Sequence, residues 1–113
     1  MRRIPGPGFG LDQTRRIPVL TLIEGDDTKI GAMYLVKEIR FRIGRDTENH
    51  LVLGSETVSR FHAEILTDEN GFWIEDHESG IGTFVDGKSI SGQKELEPGA
   101  LIQIGRYSLR FGL

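Results

Sequence analysis

The sequence predicts an all-β chain folded as a two-sheet β-sandwich, and three observations predict it. Alternating runs such as Arg40-Phe41-Arg42-Ile43 and Leu109-Arg110-Phe111 place every second side chain on one face, as strands with one buried side require. Turn signals separate the runs; Asp68-Glu69-Asn70-Gly71 and Asp86-Gly87 are the clearest hairpin candidates, in a chain with 15 glycines and only 4 prolines. No window sustains a helical period.

In chain order, residues 1–16 are Pro/Gly-rich and then carry Thr14-Arg15-Arg16, the composition of a flexible N-terminal arm; residues 17–113 form the domain. Ile17–Ile23 reads as the first strand, with Pro18 near its start, where a missing N–H is tolerated. Glu24-Gly25-Asp26-Asp27 makes a turn. Further strands are expected at Ala32–Val36, Ile39–Ile43, Leu51–Leu53, His62–Thr67, Phe72–Glu75, Thr83–Val85, Leu101–Ile104 and Tyr107–Phe111. About ten short strands at this spacing favour two packed sheets. Trp73, between Phe72 and Ile74, reads as core or cross-strand packing rather than a ligand-stacking ring.

At 113 residues and formal charge -3, the chain has the material for one modest core and not for a second catalytic domain. The mild acidity argues against a general nucleic-acid binder, which carries excess Lys and Arg on one face. Met1-Arg2-Arg3 runs into Ile4-Pro5-Gly6-Pro7, with no apolar signal segment, and no stretch is long enough to span a bilayer. Cysteine is absent, which removes disulfides, thiol nucleophiles and cysteine-based zinc sites and fits a reducing compartment. The expectation is a cytoplasmic domain without nucleic-acid or membrane partners.

Three polar clusters fall where one strand ends and the next begins: Gly44-Arg45, Ser59-Arg60-Phe61-His62 and Ser79-Gly80-Ile81-Gly82-Thr83. A glycine at position 44 permits a positive φ or a tight approach that swings Arg45 over the sheet edge, where a guanidinium can fork onto two phosphate oxygens. Arg45 alone is equally explained as a solvated arginine paired with Asp46 or Glu48. Ser59 and Arg60 add a hydroxyl, a backbone N–H and a second guanidinium, a donor set suited to a tetrahedral dianion. His62 lacks a partner histidine at metal-ligand spacing and reads as a hydrogen-bonding strut between loops. His50 and His77 read as surface residues, and Glu75, Asp76 and Glu78, which lack a calcium-loop spacing, as solvated turn residues.

Gly82-Thr83-Phe84-Val85-Asp86-Gly87-Lys88-Ser89 satisfies the written pattern of a phosphate-binding P-loop. That loop must open a helix, and here its interior is β-forming with Ile90-Ser91-Gly92 following, so nucleotide chemistry is not expected. No glycine elbow surrounds a serine nucleophile. The chain therefore reads as a non-enzyme with no catalytic residue, metal or cofactor.

Gly44-Arg45, Ser59-x-x-His62, Asp76-x-x-Ser79, Gly82-Thr83-Phe84-Val85-x-Gly87 and the closing Leu96-x-Pro98-Gly99-x-x-Ile102-x-Ile104-Gly105 together resemble a forkhead-associated (FHA) domain over roughly Val19 to Phe111. The resemblance implies an eleven-stranded, mostly antiparallel sandwich whose loops at one end bind a phosphothreonine peptide of a partner protein in signalling. It implies that Arg45 and Ser59 contact the phosphate, that Arg60 adds charge or a backbone donor, and that Gly44, His62, Gly82 and Thr83 shape the loops. The family usually has Asn before the glycine of its last signature loop, bonded to the peptide backbone; here that position is Ile81. The preceding position, often Thr or Ser, is Gly80. Losing roughly two neutral hydrogen bonds costs about 1 to 3 kcal/mol, ten-fold or more in affinity. Two expectations follow: weakened phosphopeptide binding with an altered preference, or an interaction and assembly domain that needs no phosphate. A monomer is expected. A phosphorylated Thr14 cannot readily reach its own loops, since Ile17, three residues and at most about 11 Å away, already belongs to the first strand; capture by a neighbouring copy is the alternative.

Overall fold

A computed structural model of the chain describes residues 17–113, so the N-terminal arm at 1–16 and Thr14 lie outside the described residues. Eleven strands form two sheets: β1 (Val19–Glu24), β2 (Met33–Leu35), β3 (Arg40–Gly44), β4 (Leu51–Val52), β5 (Ala63–Asp68), β6 (Gly71–Asp76), β7 (Thr83–Val85), β8 (Lys88–Ser89), β9 (Gln93–Glu95), β10 (Leu101–Ile104) and β11 (Tyr107–Gly112). One sheet runs β2-β1-β11-β10-β7-β8 and the other β4-β3-β5-β6-β9. Among the described residues only the β3–β4 pair is parallel, because the loop between them carries the chain back to run beside its own strand.

The alternation seen in sequence sets the packing. Phe41 and Ile43 point inward while Arg40 and Arg42 face solvent, and on β11 Leu109 and Phe111 are buried either side of exposed Arg110. With Leu20, Leu22, Ile65, Ile74, Ile102 and Ile104 they form the layer between the sheets. Each fully buried Leu, Ile or Phe contributes about 1.5 to 3 kcal/mol, so this layer outweighs any single polar contact and fixes which faces meet. Trp73 sits half-buried between Leu66 and Glu95 in the register of adjacent strands, a cross-strand packing position.

Two strands had no apolar signature. Lys88–Ser89 and Gln93–Glu95 are wholly exposed edge strands that owe their extended form to pairing with β7 and β6. The first closes a hairpin at Asp86-Gly87, whose φ angles of 52° and 83° are those of a type I′ turn. The P-loop pattern therefore spans a tight hairpin with no helix behind it. A 3-10 turn at Asp27–Lys29, capped by the Asp26 side chain on Thr28 N–H at 3.0 Å, extends the turn expected after β1.

Strand directions collect the loops. β3 and β6 end, and β5 and β7 begin, at the same end of the sandwich, where Glu24 of β1 also lies opposite Ser108 and the β10–β11 turn closes. Residues 45–50, 53–62 and 77–82 thus share one rim.

Candidate functional site

The three polar clusters are joined by hydrogen bonds. Arg45 N–H donates to the Ser59 carbonyl at 3.0 Å and Asp46 N–H to the Arg60 carbonyl at 3.1 Å, lacing the β3–β4 loop to the β4–β5 loop. Ser59 Oγ accepts Gly80 N–H at 3.1 Å, bringing in the β6–β7 loop. His62 is fully buried between them. Because its Nδ1 faces the Ser59 N–H at 3.0 Å, a donor, Nδ1 must accept, and the ring's proton sits on Nε2, which donates to the Gly82 carbonyl at 2.9 Å.

Gly44 is required by close approach and not by its φ, which is not among the positive ones. A Cβ there would overlap the Arg60 carbonyl and come within 2.8 Å of Asn49 Nδ2. That contact lets the loops carrying Arg45 and Ser59 lie against each other. Arg45 is exposed, and its Nε–H donates to the Val58 carbonyl at 3.0 Å. Among the described residues it pairs with no carboxylate, so the alternative of a salt bridge to Asp46 or Glu48 is not realised. Asp46 is occupied with the Glu48 N–H instead. Arg60 is exposed beside it, and Ser59 is half-buried.

The β6–β7 loop is held from below by Asp76. Its carboxylate accepts Ser79 Oγ–H at 2.5 Å, Ser79 N–H at 3.1 Å and Thr83 Oγ1–H at 2.7 Å, and Ser79 Oγ in turn accepts Gly82 N–H at 2.9 Å. Burial pushes the Asp76 carboxyl up, but the Ser79 hydroxyl, Thr83 hydroxyl and Ser79 N–H together hold it below the ordinary aspartate value. Asp76 is therefore a half-buried keystone, which corrects its reading as a solvated turn residue. Gly82, at φ 102°, and fully buried Thr83 complete the support, while Gly80 and Ile81 stand exposed at the tip.

Sequence reasoning missed Asn49. Its buried amide donates to the carbonyls of Asp46 and Arg60 at 2.8 and 2.7 Å, tying two loops together, while its Oδ1 is buried without a partner. An asparagine five residues after Gly44 announces none of this, because its partners are set by tertiary contact. His50 and His77 are also more than surface residues. His50 stacks on Phe41 at 5.5 Å and its Nδ1 accepts Arg42 N–H, and His77 bonds Glu64 at 2.9 Å.

Two other features at the domain's surface compete as sites. Ligand atoms of Glu64, Glu75 and His77 lie within 4.8 Å of one another. Yet Glu64 is already matched by a bidentate Arg40 at 2.7 and 3.1 Å and by His77, so its charge is satisfied without a cation. A groove of about 960 Å³ lies between the β1–β2 and β4–β5 loops, lined by Glu24, Asp26, Asp27 and Glu56 with Arg106. Four carboxylates repel an anion, so this groove is unsuited to a phosphate despite Arg106.

Two sheets in this strand order carry a rim of polar loops laced together by hydrogen bonds. The FHA domain family model matches residues 41–105, and the chain belongs to that family. The chain is 37% identical over 81 residues to an oxoglutarate dehydrogenase inhibitor of Corynebacterium efficiens and 36% identical over 81 residues to that of Corynebacterium glutamicum, covering 72% of this chain and 56% of each relative. It thus spans just over half the length of those relatives. Among solved structures it is similar to Mycobacterium tuberculosis EmbR in complex with a low-affinity phosphopeptide, with TM-score 0.80 and 30% identity, covering 87% of this chain and 24% of that one. It is also similar to the FhaA FHA domain complexed with an intracellular domain of a second protein, with TM-score 0.73 and 29% identity over 83% of this chain and 98% of that one. The family is one of phosphothreonine-binding, protein-interaction modules. Among the described residues no helix is long and apolar enough to cross a membrane.

Proposed function

We propose that this domain binds phosphothreonine segments of partner proteins, without catalysis or cofactor, in signalling on the cytoplasmic side. Arg45 is the principal phosphate ligand, forking onto two oxygens; Ser59 and Arg60 supply a hydroxyl and further charge, and Gly80, whose N–H is held by Ser59 Oγ, meets the peptide together with Ile81. The observation that carries this reading is Arg45 itself, exposed, unpaired with any described carboxylate, and laced by its own N–H to Ser59. The phosphopeptide held by EmbR and the partner domain held by FhaA support it by analogy.

The exposed Ile81 favours a second reading, phosphate-independent docking of a partner, because it offers apolar surface and no hydrogen bond. Self-association through a phosphorylated Thr14 in a neighbouring copy is a further form of the first reading; otherwise the domain acts as a monomer. The deciding measurement is a phosphothreonine peptide library presented beside its unphosphorylated twin. Binding confined to the phosphorylated members, and weakened about thirty-fold in Arg45→Ala, is the expected result, whereas equal binding to both sets selects the second reading.

A further inference from the structure

Away from the rim, one edge of the six-stranded sheet carries apolar surface that nothing among the described residues covers. β2 ends that sheet, and on its outer face Met33 is 69% and Leu35 51% exposed. They stand opposite Thr21 and Val19 of β1, and exposed Ile17 and Ile23 prolong the row, because the odd positions of β1 share that face. The backbone of this edge is open as well. Val36 N–H donates to the Pro18 carbonyl at 2.8 Å, so antiparallel alternation turns the N–H and C=O groups of Met33 and Leu35 away from β1. An apolar edge with free backbone groups is a template for one more strand.

The chain itself supplies a fitting occupant. The Val36–Pro18 bond places Ile17, where the described residues begin, beside the end of β2. Before it, Gly8-Phe9-Gly10-Leu11 alternates glycine with an apolar residue, so an extended backbone sets Phe9 and Leu11 on one face at the spacing of Met33 and Leu35. Passing from β1 across β2 to the open edge takes two strand spacings, about 10 Å, and the segment from Leu11 to Ile17 reaches up to about 20 Å. A second copy fits less well. The patch is on the order of a few hundred Å², against the roughly 800 Å² that each partner of a standard interface buries, whereas a tethered segment arrives at an effective concentration of about millimolar.

We propose that residues 8–11 add to the sheet as a strand parallel to β2, with Gly10 N–H donating to the Met33 carbonyl and Leu35 N–H to the Gly10 carbonyl. Phe9 then lies beside Met33 and Leu11 beside Leu35, which closes the edge to pairing between copies. Thr14 is held in the return to β1, at the end of the sandwich opposite the rim.

The test uses the whole chain, in which Met1 and Met33 are the two methionines, so that methyl labelling gives Met33 its own NMR signal. The expected result is an upfield ring-current shift of the Met33 methyl that disappears in Phe9→Leu. Hydrogen exchange of the Leu35 amide should run about ten-fold or more faster in Gly10→Pro, which removes the N–H that bonds Met33. Neither substitution touches the described core, so the sandwich stays folded in both. A Met33 signal unmoved by Phe9→Leu, or Leu35 exchange unchanged in Gly10→Pro, overturns the proposal. A Met33 signal that instead changes with protein concentration, alongside a dimeric mass in sedimentation, also overturns it by assigning the edge to a second copy.

Discussion

The two halves of the loop rim are built differently. On the side of the β3–β4 and β4–β5 loops, Gly44, Asn49, Ser59 and His62 are interlocked by backbone carbonyls and a buried imidazole, and the exposed groups they present are the guanidiniums of Arg45 and Arg60. On the side of the β6–β7 loop, the support beneath is just as dense, with Asp76, Ser79 and Thr83 in one network, but beyond the exposed Glu78 the tip is Gly80 and Ile81. The first half offers two guanidiniums beside an exposed Phe61, whereas the Gly80-Ile81 tip of the second offers no side-chain hydrogen-bonding group. The difference teaches that bracing a loop and equipping it to hydrogen-bond a ligand are separable: the β6–β7 loop keeps its shape while the side chains at its tip contribute no polar group.

The strongest way to break the comparison is to unlock the charged half. Gly44→Ala forces a methyl group into the Arg60 carbonyl and the Asn49 amide, both backbone or backbone-bound, so neither gives way cheaply. Thermal and urea unfolding should show a loss of about 3 kcal/mol, the upper range for overpacking a tight contact, with phosphopeptide binding lost as the loops separate. Wild-type stability in this variant would mean that the two loops do not need to touch. Arg45→Ala is the complementary change. It removes a surface side chain whose single internal bond is to the Val58 carbonyl, so the melting temperature should hold while phosphopeptide affinity falls by about 2 kcal/mol, roughly thirty-fold, in calorimetry.

The core strands were legible before the structure because alternation is a local signal: Arg40-Phe41-Arg42-Ile43 and Leu109-Arg110-Phe111 each declare their buried face within a few residues. β8 and β9 were not legible, since Lys88-Ser89 and Gln93-Lys94-Glu95 carry no apolar face and are extended only because β7 and β6 offer them a ladder. At the rim, short polar motifs pointed to Arg45, Ser59 and His62. Of the residues that hold them, Asn49 had no local signature, since it works through Arg60, eleven positions away, and Asp76, though part of the Asp76-x-x-Ser79 motif, gave no sign of its bond to Thr83 across the β6–β7 loop. Gly44 shows the boundary well. Its sequence context allowed either a positive φ or a close approach, and only the position of the Arg60 carbonyl decides for the latter.

The comparison is sharpened by giving the β6–β7 tip back a polar group. Ile81→Asn places a side-chain amide on a loop that is already braced, so no reorganisation should be needed before it bonds a peptide backbone. Phosphopeptide affinity should rise by up to about 1.4 kcal/mol, ten-fold, partly offset by the lost apolar surface. Unchanged affinity in titrations with several phosphopeptides would show that the tip does not touch the ligand.

The smallest effect concerns the network beneath that tip and separates bracing from binding. Asp76 is held below the ordinary aspartate value in the folded domain, so its ionised form is favoured by folding. The sign follows from linkage: this contribution is fully present above the unfolded value of about 3.9 and disappears as pH falls through the lower folded value. Asp76→Asn keeps the shape but turns an amide donor toward groups that are themselves donors, the Ser79 N–H and the Ser79 and Thr83 hydroxyls. At neutral pH the variant should be about 1 kcal/mol less stable, a figure kept low because the carboxylate is only partly buried, and the gap between variant and wild type should narrow as pH is lowered below about 4. Urea unfolding of both proteins across that range measures it. A gap that stayed constant with pH would place the cost in packing rather than charge, and the β6–β7 loop would then be braced by shape alone.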